Sequence, residues 1–377
     1  MKITENKGRL SMEEIETSLI YDHGYIPEHV QEMMPKLEEI DRLRNEKNAI
    51  LLAHYYQIPP IQLIADIKGD SLKLAESAKE IRDKRLVVCS TVVFMAEMVK
   101  LLSPDKKVVV PDLESGCSIA SGMNGESVRK IREKFPTSAI VSYINTYADT
   151  KAEVDAVCTS ANAKSVLRNI MGDPVIMIPD YFFFQNMAKE LLREGNDGRT
   201  YLAYRGKEGG DLVLENVVNG KEEHIRGNGF QLPVLDKGTC IVHEQFNPTD
   251  IDYLRKKDGI EIVMAHPEVS PGVAEVSDFV GGTGKMIDYV EKSSAKKFLV
   301  ITECDLTAPL REAFPKDKYG KEFYTPCILC PYMKKNSIDV LLNSFRYERY
   351  EIHLDEKTAA GAKRSLDRMF ELTRERK

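Results

Sequence analysis

The sequence predicts an α/β protein: three pseudo-threefold-related, three-layer αβα domains with short parallel sheets around a central cavity. Three observations carry the prediction. Apolar strand-like runs alternate with helix-like segments, an order that implies parallel sheets with helices on their faces. Marked residues recur three times at matching spacing. One cysteine closes each of the three units.

The repeat starts from the runs "AILLAHYYQ", "SAIVSYINT" and "IEIVMAHPE". The first functional side chains at their ends are His54, Tyr143 and His266. Counting 17 residues on from each gives Ser71, Ser160 and Thr283, small hydroxyl residues opening expected helices. Another 19 residues lead to Ser90, Pro179 and Thr302, which close the runs "RLVVCS", "PVIMIP" and "KFLVIT". Helix-like segments follow: "FMAEMVKLL", "FFFQNMAKELL" and "LTAPLREAF". Each unit thus reads strand, helix, strand, helix, strand.

Cys117, Cys240 and Cys330 come next, 46, 80 and 47 residues after the hydroxyl residues. The middle unit is longer by 34, and removing 34 from the 123-residue second period returns the first period of 89. The extra length falls near 195–238, where Asn219-Gly220 between strand-like runs predicts a β-hairpin. The boundaries are then an N-terminal helical extension over 1–37, repeat 1 over 38–117, repeat 2 over 118–245 and repeat 3 over 246–335. The C-terminal helices over 336–377 are expected to join repeat 1. "LDEKTAAGAKRSLDRMFEL" within them reads as an amphipathic packing helix.

Composition narrows the function classes. A chain of 377 residues, 42% hydrophobic, supports two or three cores. A net charge of −6 with no basic stripe argues against nucleic acid or an anionic membrane as partner. The start, "MKITENKGRLSMEE", has no apolar signal core. The most apolar run, "RLVVCSTVVFMAEMVKLL", is interrupted by Arg85, Glu97 and Lys100, short of the roughly 18–20 apolar residues of a membrane helix. A soluble, cytoplasmic protein is expected. Seven cysteines, an odd number in an unsecreted chain, argue against a disulfide framework.

In parallel sheets, ligands bind outside the carboxyl ends of the strands, where every marked residue lies. Cys327, the CxxC partner of Cys330, has no counterpart in the other units, so the pair is not a site of its own. A Cys327–Cys330 disulfide that withdraws Cys330 is a further expectation to test. Three converging thiolates suit zinc, with His243 or His266 as fourth ligand, or a [4Fe–4S] cluster with one iron left open. Spacing favours the cluster. Cys89, Cys158 and Cys304 read as buried thiols. Ser71, Ser160 and Thr283 read as helix N-caps that also face a polyanionic small molecule. Tyr56 and Glu268 are candidate acid/base groups; Tyr143 and Asn145 offer polar contacts; His54, His243 and His266 sit where function outweighs structure. His23, His29, His224 and His353 read as surface residues.

Together the segments "AHYYQ", "GDSL", "FMAEM", "PDLESGCS", "YINT", "VCTSANA", "VHEQF", "AHPE", "DFVGGTG" and "CPYMK" resemble the A-type quinolinate synthase family of de novo NAD synthesis. They run in order from about Leu51 to Met333. The resemblance implies three pseudo-symmetric αβα domains and a [4Fe–4S] cluster on Cys117, Cys240 and Cys330. It implies condensation of iminoaspartate with dihydroxyacetone phosphate to quinolinate, with loss of phosphate and water. The open iron is then a Lewis acid, and Tyr56 and Glu268, with His54 and His266, serve catalysis. His54, Ser71, Tyr143, Asn145, Ser160, His243, His266, Glu268 and Thr283 bind the carboxylates, phosphate or intermediates. An iminoaspartate-producing enzyme must supply that unstable substrate. The alternatives are another [4Fe–4S] hydro-lyase or a non-catalytic iron–sulfur redox sensor. Three departures stand out: Gly281-Gly282-Thr283 where the family has Gly-Ser-Thr, Val269 where it has the cysteine of "HPEC", and two cysteines rather than CxxCxxC near the end. The insert marks a longer variety of the family.

Overall fold

A computed structural model describes residues 9–195, 197–226 and 237–374. Residues 1–8 of the N-terminal extension, 196 and 227–236 of the insert, and 375–377 of the tail lie outside the described residues. The chain opens with α1 (Met12–Tyr21) and α2 (Pro27–Glu46). Ser11 caps α1 in a reciprocal capping box with Glu14, and Pro27 sets the first turn of α2.

Next come β1 (Ala49–His54), α3 (Pro59–Ile64), β2 (Ile67–Gly69), α4 (Ser71–Glu80), β3 (Leu86–Ser90), α5 (Val93–Leu102) and β4 (Lys107–Val109). Then follow α6 (Ser118–Ser121), α7 (Gly125–Lys134), β5 (Ala139–Tyr143), α8 (Ala148–Glu153), β6 (Ala156–Cys158), α9 (Ala163–Asn169), β7 (Val175–Ile178), α10 (Tyr181–Glu194) and β8 (Tyr201–Glu208). After β9 (Asp211–Asn216) and β10 (Glu222–Ile225) come α11 (Pro248–Asp258), β11 (Ile262–Ala265), α12 (Pro271–Glu275), β12 (Phe279–Val280), α13 (Thr283–Lys292) and β13 (Lys297–Ile301). The chain ends with α14 (Thr307–Ala313), α15 (Lys316–Tyr319), β14 (Glu322–Tyr324), α16 (Ile338–Tyr347) and α17 (Glu356–Thr373).

The strands form three sheets with one shared order: β2-β1-β3-β4, β6-β5-β7-β8 and β12-β11-β13-β14. The pairings β1–β2, β1–β3, β3–β4, β5–β6, β5–β7, β7–β8, β11–β12 and β13–β14 are all parallel. The α/β class read from the alternation is therefore what the chain adopts. Every residue of β3, β5 and β7 is buried, as expected for strands covered on both faces. The edge strands β2, β6 and β12 were absent from the sequence reading. They are two or three residues long, too short to show a period.

The insert differs from expectation at its start. β8 lies inside 195–238, yet it pairs parallel with β7 and holds the place of β4 and β14. The added chain proper is β9 and β10, an antiparallel hairpin on β8, and Gly220 takes φ +70° in its turn.

The chain divides into two compact units. The first holds the described residues of Met1–Gly116, Asp258–Val263 and Thr283–His353. Its α1, α2 and α16 share an apolar cluster with β1 and β3 that includes Leu19, Leu37, Leu51, Val88 and Phe345. The second holds the described residues of Cys117–Lys257, Met264–Gly282 and Leu354–Lys377. The C-terminal segment, expected to join repeat 1 whole, divides: α16 packs on α2, and α17 packs on α8, β6 and α9. The stripe that docks α17 is Gly361, Ala362, Ser365, Leu366, Met369 and Leu372. Among the described residues no helix is long and apolar enough to cross a membrane.

Gly361 permits the close approach of α17 to α8. A Cβ there would stand 2.8 Å from the Ala152 Cβ and 2.9 Å from its carbonyl oxygen. Gly361→Val is expected to cost about 1–3 kcal/mol through overpacking, read as a lower urea midpoint. An unchanged midpoint contradicts this packing.

Candidate active site

The sheets deliver their marked residues to strand ends. His54 closes β1, Tyr143 closes β5, and His266 follows β11 directly. Local turns then orient the two imidazoles alike. The Tyr56 amide donates to His54 Nδ1 at 3.1 Å, and the Glu268 amide donates to His266 Nδ1 at 3.5 Å. A backbone donor on Nδ1 assigns the ring proton of a neutral imidazole to Nε2.

In the second unit, five predicted residues converge on Glu268, which is itself buried. His243 Nδ1 lies 2.9 Å from Glu268 Oε2, and His266 Nδ1 lies 3.7 Å from Oε1. Asn145 Nδ2 donates to Oε1 at 3.5 Å, and the Tyr143 hydroxyl also hydrogen-bonds the carboxylate. The His243 and His266 rings stack at 4.7 Å, and Tyr143 stacks on Phe183 at 4.3 Å. Asn186 of α10 fixes the turn by donating to the carbonyls of Pro267 and Val269 at 2.9 and 2.8 Å. Cys240 joins the group: its sulfur, a His243 nitrogen and a Glu268 oxygen lie within 4.8 Å of one another.

Burial pushes the Glu268 carboxyl up, but His266 and His243, with the hydrogen bonds from His243 and Tyr143, outweigh it and hold the group at about 2. For His266, burial outweighs the Glu268 charge and holds the imidazole at about 4. Near neutral pH the pair is an anionic carboxylate and a neutral His266. Asp180, missed by the sequence reading, is shifted in the opposite direction. It is fully buried, its Oδ1 caps α10 by accepting from the Phe183 amide at 2.9 Å, and its Oδ2 has no partner. Burial and then the Glu268 charge raise it well above its ordinary value, which favours its protonated form.

In the first unit, Tyr56 shares a 2.7 Å hydrogen bond with Thr302 Oγ1, and its ring meets His54 edge-on at 4.6 Å. Ser71 and Thr283 open α4 and α13. The N-cap role expected of Ser71 belongs to Asp70, whose Oδ1 accepts from the Lys73 amide at 2.9 Å. In the second unit Ser160 lies ahead of Asn162, the residue that precedes α9. Gly282 faces Ser160 there, and a Cβ at 282 would collide with Ser160 Oγ. The hydroxyl missing at 282 thus has its space filled by that of Ser160.

The three repeat cysteines share one local geometry. Each carbonyl accepts from the amide four residues on: Cys117 from Ser121, Cys240 from Glu244 and Cys330 from Lys334, at 3.0, 2.9 and 3.1 Å. Each therefore opens a short helical turn. Within the second unit, Ser118 Oγ accepts from the Ile241 amide at 3.2 Å and ties the turns of Cys117 and Cys240 together. Cys89 and Cys158 are buried in strands, as expected, with burial pushing both thiols up. Two expectations are corrected. Cys304 is not a lone thiol, and Cys327 does not pair with Cys330. Cys304 and Cys327 are disulfide-bonded, with Cα atoms 4.6 Å apart. The Cys304 amide donates to the Ile328 carbonyl at 3.0 Å, which lays the two loops side by side. Cys117, Cys240 and Cys330 stand outside the bridge.

In the second unit, a buried, ionised carboxylate ringed by histidine, tyrosine and asparagine beside the carboxyl ends of parallel strands is where an α/β enzyme places its chemistry. The profile of the family described as "Quinolinate synthetase A protein" (NadA) matches residues 38–371. The quinolinate synthase of Alkaliphilus metalliredigens is 37% identical over 338 residues, 89% of this chain and 98% of that protein. That of Caldicellulosiruptor saccharolyticus is 36% identical over 337 residues, 89% of this chain and 97% of its own. Quinolinate synthase 2 of Mesorhizobium japonicum is 34% identical over 357 residues, covering 92% and 97%. The chain belongs to the quinolinate synthetase A family of enzymes.

The protonation states set a pH dependence. The His266 value falls from an ordinary 6.5 to about 4 on folding, so between these values the unfolded chain binds more protons. Stability is then lost as pH falls through that window. Glu268, depressed from 4.5 to about 2, adds a further loss below 4.5. Urea midpoints should decline from pH 7 to 5 in wild type and decline less in His266→Gln. Equal slopes contradict a neutral His266.

Proposed function

We propose that this chain acts in NAD biosynthesis as a quinolinate synthase. It condenses iminoaspartate with dihydroxyacetone phosphate to quinolinate, with loss of phosphate and water. The observation that carries this reading is the buried Glu268 anion, held by His243, Tyr143 and Asn145 beside Cys240, in a member of this family. The residues at hand fit a [4Fe–4S] cluster. Cys117, Cys240 and Cys330 have matching backbone geometry, belong to one repeat position each, and stand outside the disulfide. When bound, the cluster supplies a Lewis-acidic iron with an open position for substrate oxygen.

The chain's own residues perform the remaining work. Glu268 enters as a carboxylate and accepts a proton, and Asn145 and Tyr143 keep it aimed. Tyr56, with its hydroxyl oriented by Thr302, is placed to donate or relay one. The Nε2–H groups of His54 and His266 suit carboxylate or carbonyl oxygens. Ser71 and Thr283 present hydroxyls at the first turns of α4 and α13, where backbone amides favour phosphate and carboxylate; Ser160 adds a third hydroxyl. The three-domain boundaries at 38–117, 118–245 and 246–335 belong to the same proposal, as do a cytoplasmic location and no nucleic-acid partner. Iminoaspartate is unstable, so an enzyme that oxidises or dehydrogenates aspartate must provide it.

Protein purified without oxygen should carry about four irons and four sulfides. Cys327→Ser should retain them, and Cys330→Ser should lose them. Zinc in place of iron, or equal dependence on both cysteines, contradicts the ligand set. Glu268→Gln should keep its iron and lose roughly 10²- to 10⁴-fold in turnover. Full turnover in that variant removes Glu268 from proton transfer.

A further inference from the structure

The first unit contains an ion pair between a buried carboxylate and a largely buried ammonium that none of the groups above requires. Glu303 follows Thr302 at the end of β13 and is fully buried. Lys334 stands four residues after Cys330. Lys334 Nζ lies 2.7 Å from Glu303 Oε1 and 2.6 Å from Asp305 Oδ2, and it donates to the Tyr56 carbonyl at 2.5 Å. Glu303 in turn accepts from two amides. Oε1 takes the Cys330 N–H at 3.2 Å, and Oε2 takes the Asp305 N–H at 2.8 Å. Gln62 runs beside the pair, donating to the carbonyls of Tyr55, Gln57 and Asp305 at 2.9, 2.7 and 3.2 Å.

These contacts have an informative direction. A buried ion pair adds little net stability compared with apolar residues of equal volume, so its presence calls for another reason. Here one carboxylate grips the backbone of the loop bearing Cys330, and one ammonium grips the backbone of the turn bearing Tyr56. Each charge is shared among several hydrogen bonds, which fixes both backbones with respect to each other. An apolar pair would hold the loops together but would not set their register.

We propose that Glu303 and Lys334 are a positioning pair that locks the Cys330 loop to the Tyr56 turn, so that the thiol and the phenol are presented as one rigid set. The inference rests on the proposed roles of Cys330 and Tyr56. Neither side chain of the pair reacts. Its function is to set where the sulfur and the hydroxyl stand.

The test uses Glu303→Gln, which is isosteric and removes the charge, Lys334→Met, and the double variant. In metal-free protein, iodoacetamide labelling is followed at Cys330 and, in the same sample, at Cys240. Each single variant should label Cys330 at least tenfold faster than wild type, with Cys240 unchanged. The double variant should be no faster than either single, as expected of groups acting as one unit. In iron-loaded protein, kcat should drop at least tenfold with full iron content and KM within about twofold of wild type. Cys330 labelling within twofold of wild type overturns the proposal, as does equal acceleration at Cys240. Faster Cys330 labelling with unchanged kcat overturns it too. Should Lys334→Met fail to fold, Glu303→Gln decides alone. The labelling arm needs neither metal nor substrate, so it reads the pair even where the assigned reaction fails.

Discussion

Burying Glu268 as an anion is the constraint on which the second unit depends. A carboxylate removed from water costs several kcal/mol unless its oxygens are paired. The pairing groups come from separate stretches of chain. Tyr143 and Asn145 lie at and just beyond the end of β5, His243 lies in the turn after Cys240, and Glu268 itself lies in the turn after β11. These stretches must therefore hold a fixed arrangement. Two sheets contribute: β5, buried along its length, delivers Tyr143 and Asn145 from one, and β11 delivers the Glu268 turn from another. Burial, and then the same charge, raises the Asp180 carboxyl. Two carboxyl groups in one environment are thus shifted in opposite directions, the kind of separation that acid/base chemistry uses.

The first unit solves a related problem with a salt link. Glu303 and Lys334 satisfy one another and four backbone or side-chain partners. The Cys304–Cys327 bridge fastens the same pair of loops a few residues away. The loop that carries Cys330 is thereby restrained from two sides, although it contains almost no regular structure of its own.

Much of this was legible in the sequence, and the reasons are specific. The strands β1, β3, β5, β7 and β13 are apolar runs of four to six residues, long enough to register. Spacing survives in a repeat even where residue identities change, so counting from His54, Tyr143 and His266 reaches Ser71, Ser160 and Thr283. What escaped notice was short or depended on contact. β2, β6 and β12 carry too few residues for a period. β8 was absorbed into the insert because its glycine- and charge-rich surroundings masked a strand. The pairing of Cys327 with Cys304 depends on two loops laid side by side, which no local pattern encodes. Asp180 and Glu303 look like ordinary strand-end acids, and only burial sets them apart. A hint was available for Glu303: it sits next to Thr302, a position the repeat had already marked.

The account turns on the charge of one side chain, so its most direct test is infrared difference spectroscopy of Glu268. Spectra of wild type minus Glu268→Gln, taken from pH 5 to 8, should show the paired stretches of an ionised carboxylate throughout. His243→Phe should move that signal toward the single carbonyl stretch of a protonated acid. A protonated Glu268 in wild type at neutral pH would contradict the anionic centre around which the second unit is built.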